Sequence, residues 1–391
     1  MKVTFFAREF PPHVYGGAGV HLKNLAAELA RSIEVEVRCI GDQDVADGRM
    51  RVRGYQAWPR MWEGENKFFN SALGTFSANL SQVRDGIEAD VVHSHTWYGA
   101  FAGFAAKLLY DIPYVATVHS LEPLRPWKEE QLGRSYNLTS WIEKVALENA
   151  DRIVAVSQDA RREILALFNV DPRRVVVIYN GIDLNVWKRV ESRATCRAYG
   201  IEGDYILFLG RTTRQKGMTH LIEAMQHVEP GVRLVCCTSA PDTPAVEEEI
   251  GAKVAAQPRC LWINTLLREE QYIELYSNAA LFACPSVYEP FGIINLEAMA
   301  CERPVVASAV GGIKEVVLPE TTGLLVPPAD PRALADAINR VLRDRAWARR
   351  LGLAGRRRVE QEFSWTLIAE RTKQMYQELL DERSAARARQ T

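Results

Sequence analysis

Pro285-Ser-Val-Tyr-Glu-Pro-Phe-Gly-Ile-Ile-Asn-Leu-Glu-Ala-Met-Ala-Cys301 joins three local signals in one short stretch. The small and apolar run from Ala279 to Pro285 reads as a buried strand that ends at the proline. A tight Pro-Phe-Gly turn follows, and a helix with apolar periodicity opens near Ile293. Gly292 lets the backbone come close to a ligand. The N–H groups of Gly292, Ile293 and Ile294 are unpaired at a helix start and would face an anion. Glu289 precedes that helix and Glu297 lies about one turn inside it, so two carboxylates flank an anion-binding helix start. Two solvated charges beside an ordinary helix would look the same locally, and the rest of the chain decides between the readings.

Outward from this stretch the chain alternates helix and strand in both directions. Downstream of Gly203, strands are expected at Tyr205–Leu209, Arg233–Cys237, Leu261–Ile263, Leu281–Cys284, Val305–Ala307 and Leu324–Val326. Upstream they are expected at Val3–Ala7, Glu34–Ile40, Val91–His93, Tyr114–His119, Arg152–Val156 and Val175–Tyr179. Arg51 to Lys67 reads as a long loop, and Asn180-Gly-Ile-Asp183 with the polar stretch to Gly203 reads as a linker. From Pro331 the pattern is helical to about Glu382, with a frayed basic tail from Arg383 to Thr391. Such alternation predicts parallel sheets covered on both faces. The expected fold class is α/β: two doubly wound, Rossmann-like domains facing each other across a cleft.

Bulk properties exclude several functions. A chain of 391 residues exceeds one ordinary core. A formal net charge of -1 gives no electrostatic case for a nucleic-acid partner. The seven cysteines have no paired C-x-x-C spacing, which argues against a zinc site or disulfide framework and for a reducing, cytoplasmic location. No signal peptide or membrane-spanning run is read, so no membrane partner is expected.

Three further stretches stand where strands of such sheets end, the place where open α/β sheets bind ligands. Tyr15-Gly16-Gly17-Ala-Gly19 follows the first strand, but Leu22 occupies the place of the third glycine of a dinucleotide fingerprint. A nicotinamide cofactor is therefore not expected, and a backbone-rich loop over an anion or sugar is. His119 ends another strand and is read as a hydrogen-bonding residue. Beside it, His93 and His95 lack a carboxylate or cysteine to complete a metal set, so no metal is expected. Asp42-Gln-Asp44 reads as a solvated turn. Finally, Gly210-Arg211-Thr-Thr-Arg-Gln-Lys216-Gly217 places two cations where they can converge on one pyrophosphate. With Glu289 and Glu297 they suit transfer of a group from a nucleoside diphosphate without a metal.

The E-x7-E pair Glu289/Glu297, the R-x4-K pair Arg211/Lys216, Asn180-Gly-Ile-Asp183 and His119 together resemble the retaining glycosyltransferases of the glycogen synthase type, with the GT-B fold. Glu9 to Gly19 matches the glycine loop of the short actinobacterial-type members, a group that includes glycogen synthases and α-maltose-1-phosphate synthases. The resemblance implies an acceptor domain over 1–185, a nucleotide-sugar domain over 186–363, and a tail from 364 to 391 that crosses back to the first domain. It implies that Arg211 and Lys216 hold the diphosphate, Glu289 the donor sugar and Glu297 the ribose. It also implies that Gly292, Ile293 and Ile294 donate to phosphate or sugar oxygens, that His119 lies by the reacting carbon, and that Gly16 and Gly17 close over donor and acceptor. The expected activity is retaining transfer of glucose from ADP-glucose, a co-substrate, to glucose 1-phosphate or an α-1,4-glucan, with no cofactor. Base contacts are expected near Ile263–Leu267. The larger bacterial glycogen synthases carry Lys-Thr where this chain has Val14-Tyr15, which favours the phosphorylated acceptor. Arg8, Lys128 and Arg134 are candidates to hold its phosphate. Another donor or acceptor, a nucleotide-sugar epimerase of the same fold and a non-catalytic nucleotide-sugar sensor are the competing readings.

Overall fold

A computed structural model describes the chain apart from residues 15, 62–65, 240, 242, 390 and 391 and the side chains of 130 and 131. Tyr15 of the expected glycine loop and residues 62–65 of the expected long loop therefore lie outside the described residues. The chain divides into two compact units, Met1–Asn180 with Trp365–Thr391, and Gly181–Ser364.

The first unit is built on strands β1 (Lys2–Phe6), β2 (Glu34–Ile40), β3 (Asp44–Asp47), β4 (Met50–Tyr55), β5 (Val91–His95), β6 (Tyr114–Val118), β7 (Arg152–Ala155) and β8 (Val175–Val177). They form one sheet in the order β3-β4-β2-β1-β5-β6-β7-β8, parallel except for β3 against β4. Buried Val3 and Phe5 pack with Leu22 and Leu25 of the helix Gly17–Leu29. Helices on the sheet are what make strands such as β5 and β6 buried throughout. The helix Trp365–Ala388 packs Ile368, Ala369, Met375 and Tyr376 into the same core.

The second unit carries β9 (Tyr205–Arg211), β10 (Arg233–Ser239), β11 (Cys260–Asn264), β12 (Leu281–Cys284), β13 (Val305–Ser308) and β14 (Gly323–Val326). The order is β11-β10-β9-β12-β13-β14, all pairs parallel. Its core gathers Ile206, Phe208, Leu221, Leu234, Val306 and Ile338.

Four expectations are corrected. The loop expected over Arg51 to Lys67 begins as β4, because Val52 and Tyr55 are buried while Val52 pairs with Val37 of β2. Asp44 of the expected turn opens edge strand β3, and Asp42 meets His13 at 3.1 Å. The polar linker contains a short helix, Ala194–Ala198, whose first N–H groups are tied to the buried Glu274 carboxylate. The tail stays helical to Ala388, with Arg383 and Arg387 both paired to Asp111. Among the described residues no helix is long and apolar enough to cross a membrane, and all seven cysteines are free.

Candidate active site

In the second unit the chain passes from β9 outward to β10 and β11, then returns to the other side of β9 as β12. The end of β9 and the end of β12 therefore flank the sheet's switch point, where a crevice opens above the strands. Arg211 is the last residue of β9, and a 3-10 turn, Arg214–Lys216, follows it. The Lys216 stem lies over Gly210, where an added Cβ would sit 3.4 Å from its Cγ. Its ammonium reaches Glu289 of the loop after β12, with Nζ 2.5 Å from Oε2. The two side chains are only 17% and 10% exposed, so water screens the pair weakly.

Backbone contacts hold these two loops together. Val287 N–H donates to the Gln215 carbonyl at 2.9 Å, and Gln215 Nε2 donates to the Tyr288 carbonyl at 2.9 Å. Gly217 lies so close that a Cβ there would stand 2.0 Å from the Pro285 carbonyl oxygen. On the far side, the Gly312 N–H donates to the Glu289 carbonyl at 3.1 Å. Ser286 Oγ approaches Glu289 Oε2 at 3.4 Å.

The helix Ile293–Ala300 opens directly beyond Gly292, with no side chain capping its start. Asn295 Nδ2 instead donates back to the Gly292 carbonyl at 3.2 Å, and the first-turn N–H groups of Ile293 and Ile294 have no carbonyl of their own helix to pair with. Glu297 sits one turn in and takes a 3.0 Å hydrogen bond from the buried Tyr276 hydroxyl. Burial pushes its carboxyl up to about 7, a rise that the Tyr276 hydrogen bond opposes. In the Ile263–Leu267 stretch, the Leu267 N–H donates to the Tyr272 hydroxyl at 3.2 Å.

The first unit has its own switch point between β1 and β5. Beyond β1, the Glu9 carboxylate accepts from the Gly16 N–H at 2.9 Å and so anchors the loop that carries Gly16 and Gly17 into the helix Gly17–Leu29. Beyond β6 stands His119, half-buried, its Nε2 2.9 Å from Nδ1 of His95 at the end of β5. His21 packs edge-on against His119 and hydrogen-bonds Asn180 Oδ1 through Nδ1 at 2.6 Å. Burial is the leading cause that lowers all these imidazoles, His21 to about 4, His93 to about 3, and His95 and His119 well below their ordinary value. They are neutral at physiological pH.

Neutrality fixes the proton order. His95 Nε2 is buried with no hydrogen-bond partner. A buried lone pair without a partner costs less than a buried N–H without one, so the His95 proton belongs on Nδ1 and is donated to His119 Nε2. His119 then carries its own proton on Nδ1 and presents a neutral donor. Nitrogens of His21, His95 and His119 lie within 4.8 Å of one another, a spacing that could hold a metal ion. One nitrogen each of His95 and His119 is already spent on their mutual bond, and one of His21 on Asn180.

The residues singled out in the sequence thus form two groups. Arg211, Lys216, Glu289, Gly292, Ile293, Ile294 and Glu297 surround the switch point of the second unit, and Gly16, Gly17 and His119 that of the first. Sequence reading missed His21, Tyr276 and the Gly311-Gly312 turn. A lone histidine in a helix, a tyrosine in a strand-flanking helix and a glycine pair carry no spacing signal. Only the folded sheet brings them to the site.

The chain is similar to known proteins along nearly its whole length. Residues 15–186 match the family model Glycosyltransferase Family 4, and residues 199–358 match Glycosyl transferases group 1. The chain is 45% identical to alpha-maltose-1-phosphate synthase of Mycolicibacterium smegmatis over 97% of its length and 100% of that protein. It is 29% identical to glycogen synthase of Mycobacterium tuberculosis over 96% and 94%. Among solved structures it resembles sucrose-phosphate synthase from Thermosynechococcus elongatus, with a TM-score of 0.81 and 26% identity over 97% of this chain and 99% of that one. With two parallel-sheet α/β units, these family domains and this full-length likeness, the chain belongs to the GT-B glycosyltransferases of the glycogen synthase and alpha-maltose-1-phosphate synthase family, and is a hexosyltransferase of α-glucan synthesis.

Proposed function

We propose that the protein transfers glucose from ADP-glucose to the 4-hydroxyl of glucose 1-phosphate, with retention of configuration, and releases ADP and maltose 1-phosphate. The observation that carries this reading is the Lys216–Glu289 pair at the switch point, with the helix start of Ile293 beside it. In this reading Arg211, Lys216 and the Ile293 and Ile294 N–H groups hold the diphosphate and take up its charge as the C1–O bond breaks. Glu289 orients sugar hydroxyls and Glu297 the ribose. The acceptor hydroxyl attacks from the face that the phosphate leaves, and its proton passes to the departing β-phosphate oxygen. Because two cations and backbone donors neutralise the leaving group, the reaction calls for no metal or cofactor. His119 offers a neutral N–H to a sugar hydroxyl, which positions the hexose without adding charge.

Two features support the phosphorylated acceptor. Val14 stands where the larger bacterial glycogen synthases carry a lysine, and the 45% relative is a maltose 1-phosphate synthase by name. The test is nucleotide release from ADP-glucose with glucose 1-phosphate, with glycogen, or with no acceptor, and NMR of the product's anomeric configuration. Release that requires glucose 1-phosphate and gives an α-linked disaccharide phosphate supports the proposal. Release only with glycogen identifies a glucan-elongating enzyme, and equal release without acceptor removes the transfer reading.

A further inference from the structure

If the acceptor carries a phosphate, that group needs its own binding site on the chain. We infer that it binds at the strand ends of the first unit, where Arg8 meets the hydroxyl of Tyr98 and Arg125 stands beyond the end of a neighbouring strand. This inference rests on the phosphorylated-acceptor reading above. Arg8 lies two residues beyond β1, Tyr98 lies in the first turn of the helix Thr96–Tyr110 that follows β5, and Arg125 follows β6 across the 3-10 turn Glu122–Leu124. β1, β5 and β6 are neighbours in the sheet, so the three side chains rise from adjacent strand ends beside the unit's switch point.

Two of the three are in direct contact. Arg8 Nη1 donates to the Tyr98 hydroxyl at 2.7 Å, with the guanidinium carbon 4.5 Å from the ring centre. The charges of Arg8, Glu122 and Arg125 all act on that hydroxyl. Arg8 is exposed to solvent, as a ligand contact requires. Arg125 is tied to the buried Glu122, and its Nε–H is buried with no partner. Thr96, just before Trp97 and Tyr98, has φ of 60°. For a β-branched residue this is a strained turn of the kind that accumulates at functional sites.

The donor groups suit an anion. Glu122 and Glu143 lie together, with the Glu122 N–H donating to Glu143 at 2.8 Å. Burial and the neighbouring Glu122 push the Glu143 carboxyl up to about 8. Arg8 beside Tyr98 and Arg125 beside Glu122 offer two guanidinium groups here, and a phosphate monoester is an anion that such groups take. Guanidinium groups fork onto phosphate oxygens, and the phenol hydroxyl beside Arg8 adds a third donor. Of the three candidates read from the sequence, the geometry selects Arg8, and it adds Arg125, which the sequence reading did not single out. Lys128 follows three residues later and opens the helix Lys128–Leu132.

The test measures initial rates with glucose 1-phosphate as the varied acceptor for wild type, Arg8→Ala, Arg8→Lys and Tyr98→Phe. Loss of one charged hydrogen bond predicts a KM for glucose 1-phosphate raised about ten- to a hundredfold in Arg8→Ala. The KM for ADP-glucose should move little, and Arg8→Lys should fall between the two. Isothermal titration of glucose 1-phosphate into the ADP-bound protein should show the same loss of affinity. Arg8 is exposed, so its variant should fold, and its melting temperature checks this. An unchanged KM for glucose 1-phosphate in Arg8→Ala and Tyr98→Phe overturns the site while leaving the proposed activity standing. A rise shared equally by ADP-glucose also overturns it. No turnover of glucose 1-phosphate by wild type overturns the proposed function itself.

Discussion

Replacing Lys216 by alanine removes the cation at Glu289 and leaves a carboxylate of 10% side-chain exposure with Ser286 Oγ 3.4 Å away. The proposed leaving-group role predicts a loss of about 10²–10³ in kcat for Lys216→Ala, and a similar loss for Arg211→Ala. Breaking a largely buried pair also costs about 3 kcal/mol of stability, because one charge stays behind. Adding Glu289→Gln to Lys216→Ala should restore most of that stability and none of the activity, read by thermal melts and steady-state rates. Full activity in the single variants would remove the leaving-group role. Glu297 makes the second prediction at this scale. Its carboxyl is raised from 4.5 to about 7 by burial, so the folded state binds the proton more tightly than the unfolded chain. The stabilisation this gives is complete below about pH 4.5 and is lost as pH rises through 7. Glu297→Gln should therefore melt higher than wild type at pH 8 and converge with it near pH 4.5, while its affinity for ADP falls. Parallel melting curves across that range would show that Glu297 is not desolvated.

At the scale of elements, Gly311 shows what a strand-end site demands of a turn far away in sequence. It has φ of 48°, and a Cβ there would stand 1.9 Å from the Glu289 carbonyl oxygen. The turn after β13 is therefore a wall against which the Glu289 loop is set. Gly311→Ala should displace that loop and lower kcat about 10²-fold. Gly48→Ala, at φ 56° with nothing within 4 Å, meets the same left-handed strain without the clash and should leave the rate unchanged. Equal effects of the two variants would place the cost in backbone strain alone. The same turn marks the limit of what could be read from the sequence. Glu289, Glu297, Arg211 and Lys216 were legible because each sits at fixed spacing from a strand end, where apolar runs and helix starts can be seen. Gly311, Tyr276 and His21 reach the site through sheet order and helix packing, which local pattern does not encode. β4 was read as loop for a related reason. Its Arg51-Val-Arg53-Gly-Tyr55 alternation buries only Val52 and Tyr55, and the dense tryptophan, arginine and glycine content around it resembles a connection.

At the scale of the whole molecule, the first unit is discontinuous in sequence: its final helix, Trp365–Ala388, is separated from the rest of the unit by the entire second unit. Ile368, Ala369, Met375, Tyr376 and Leu379 of this helix are buried in the core that holds Val3, Phe5 and Leu22. Burying the larger of these side chains contributes about 1.5–3 kcal/mol each. Their sum is comparable to the roughly 5–15 kcal/mol that separates a folded domain from its unfolded chain. The helix also supplies a polar tie, because the Tyr376 hydroxyl lies 2.6 Å from His93 Nδ1, and His93 stacks on His95. A chain ending at Ser364 should therefore keep a folded second unit, which is contiguous, and lose the first. Limited proteolysis should leave a resistant fragment beginning near Gly181, and amide exchange should lose the protection of β1, β5 and β6 while that of β9 and β12 persists. The full-length Tyr376→Phe variant isolates the polar tie from the packing. It should lower the stability of the first unit by about 1 kcal/mol, the usual net contribution of one hydrogen bond, with the exchange of β9 and β12 unchanged. Protection of β1 and β5 that survives the truncation would mean that the first unit folds without its last helix.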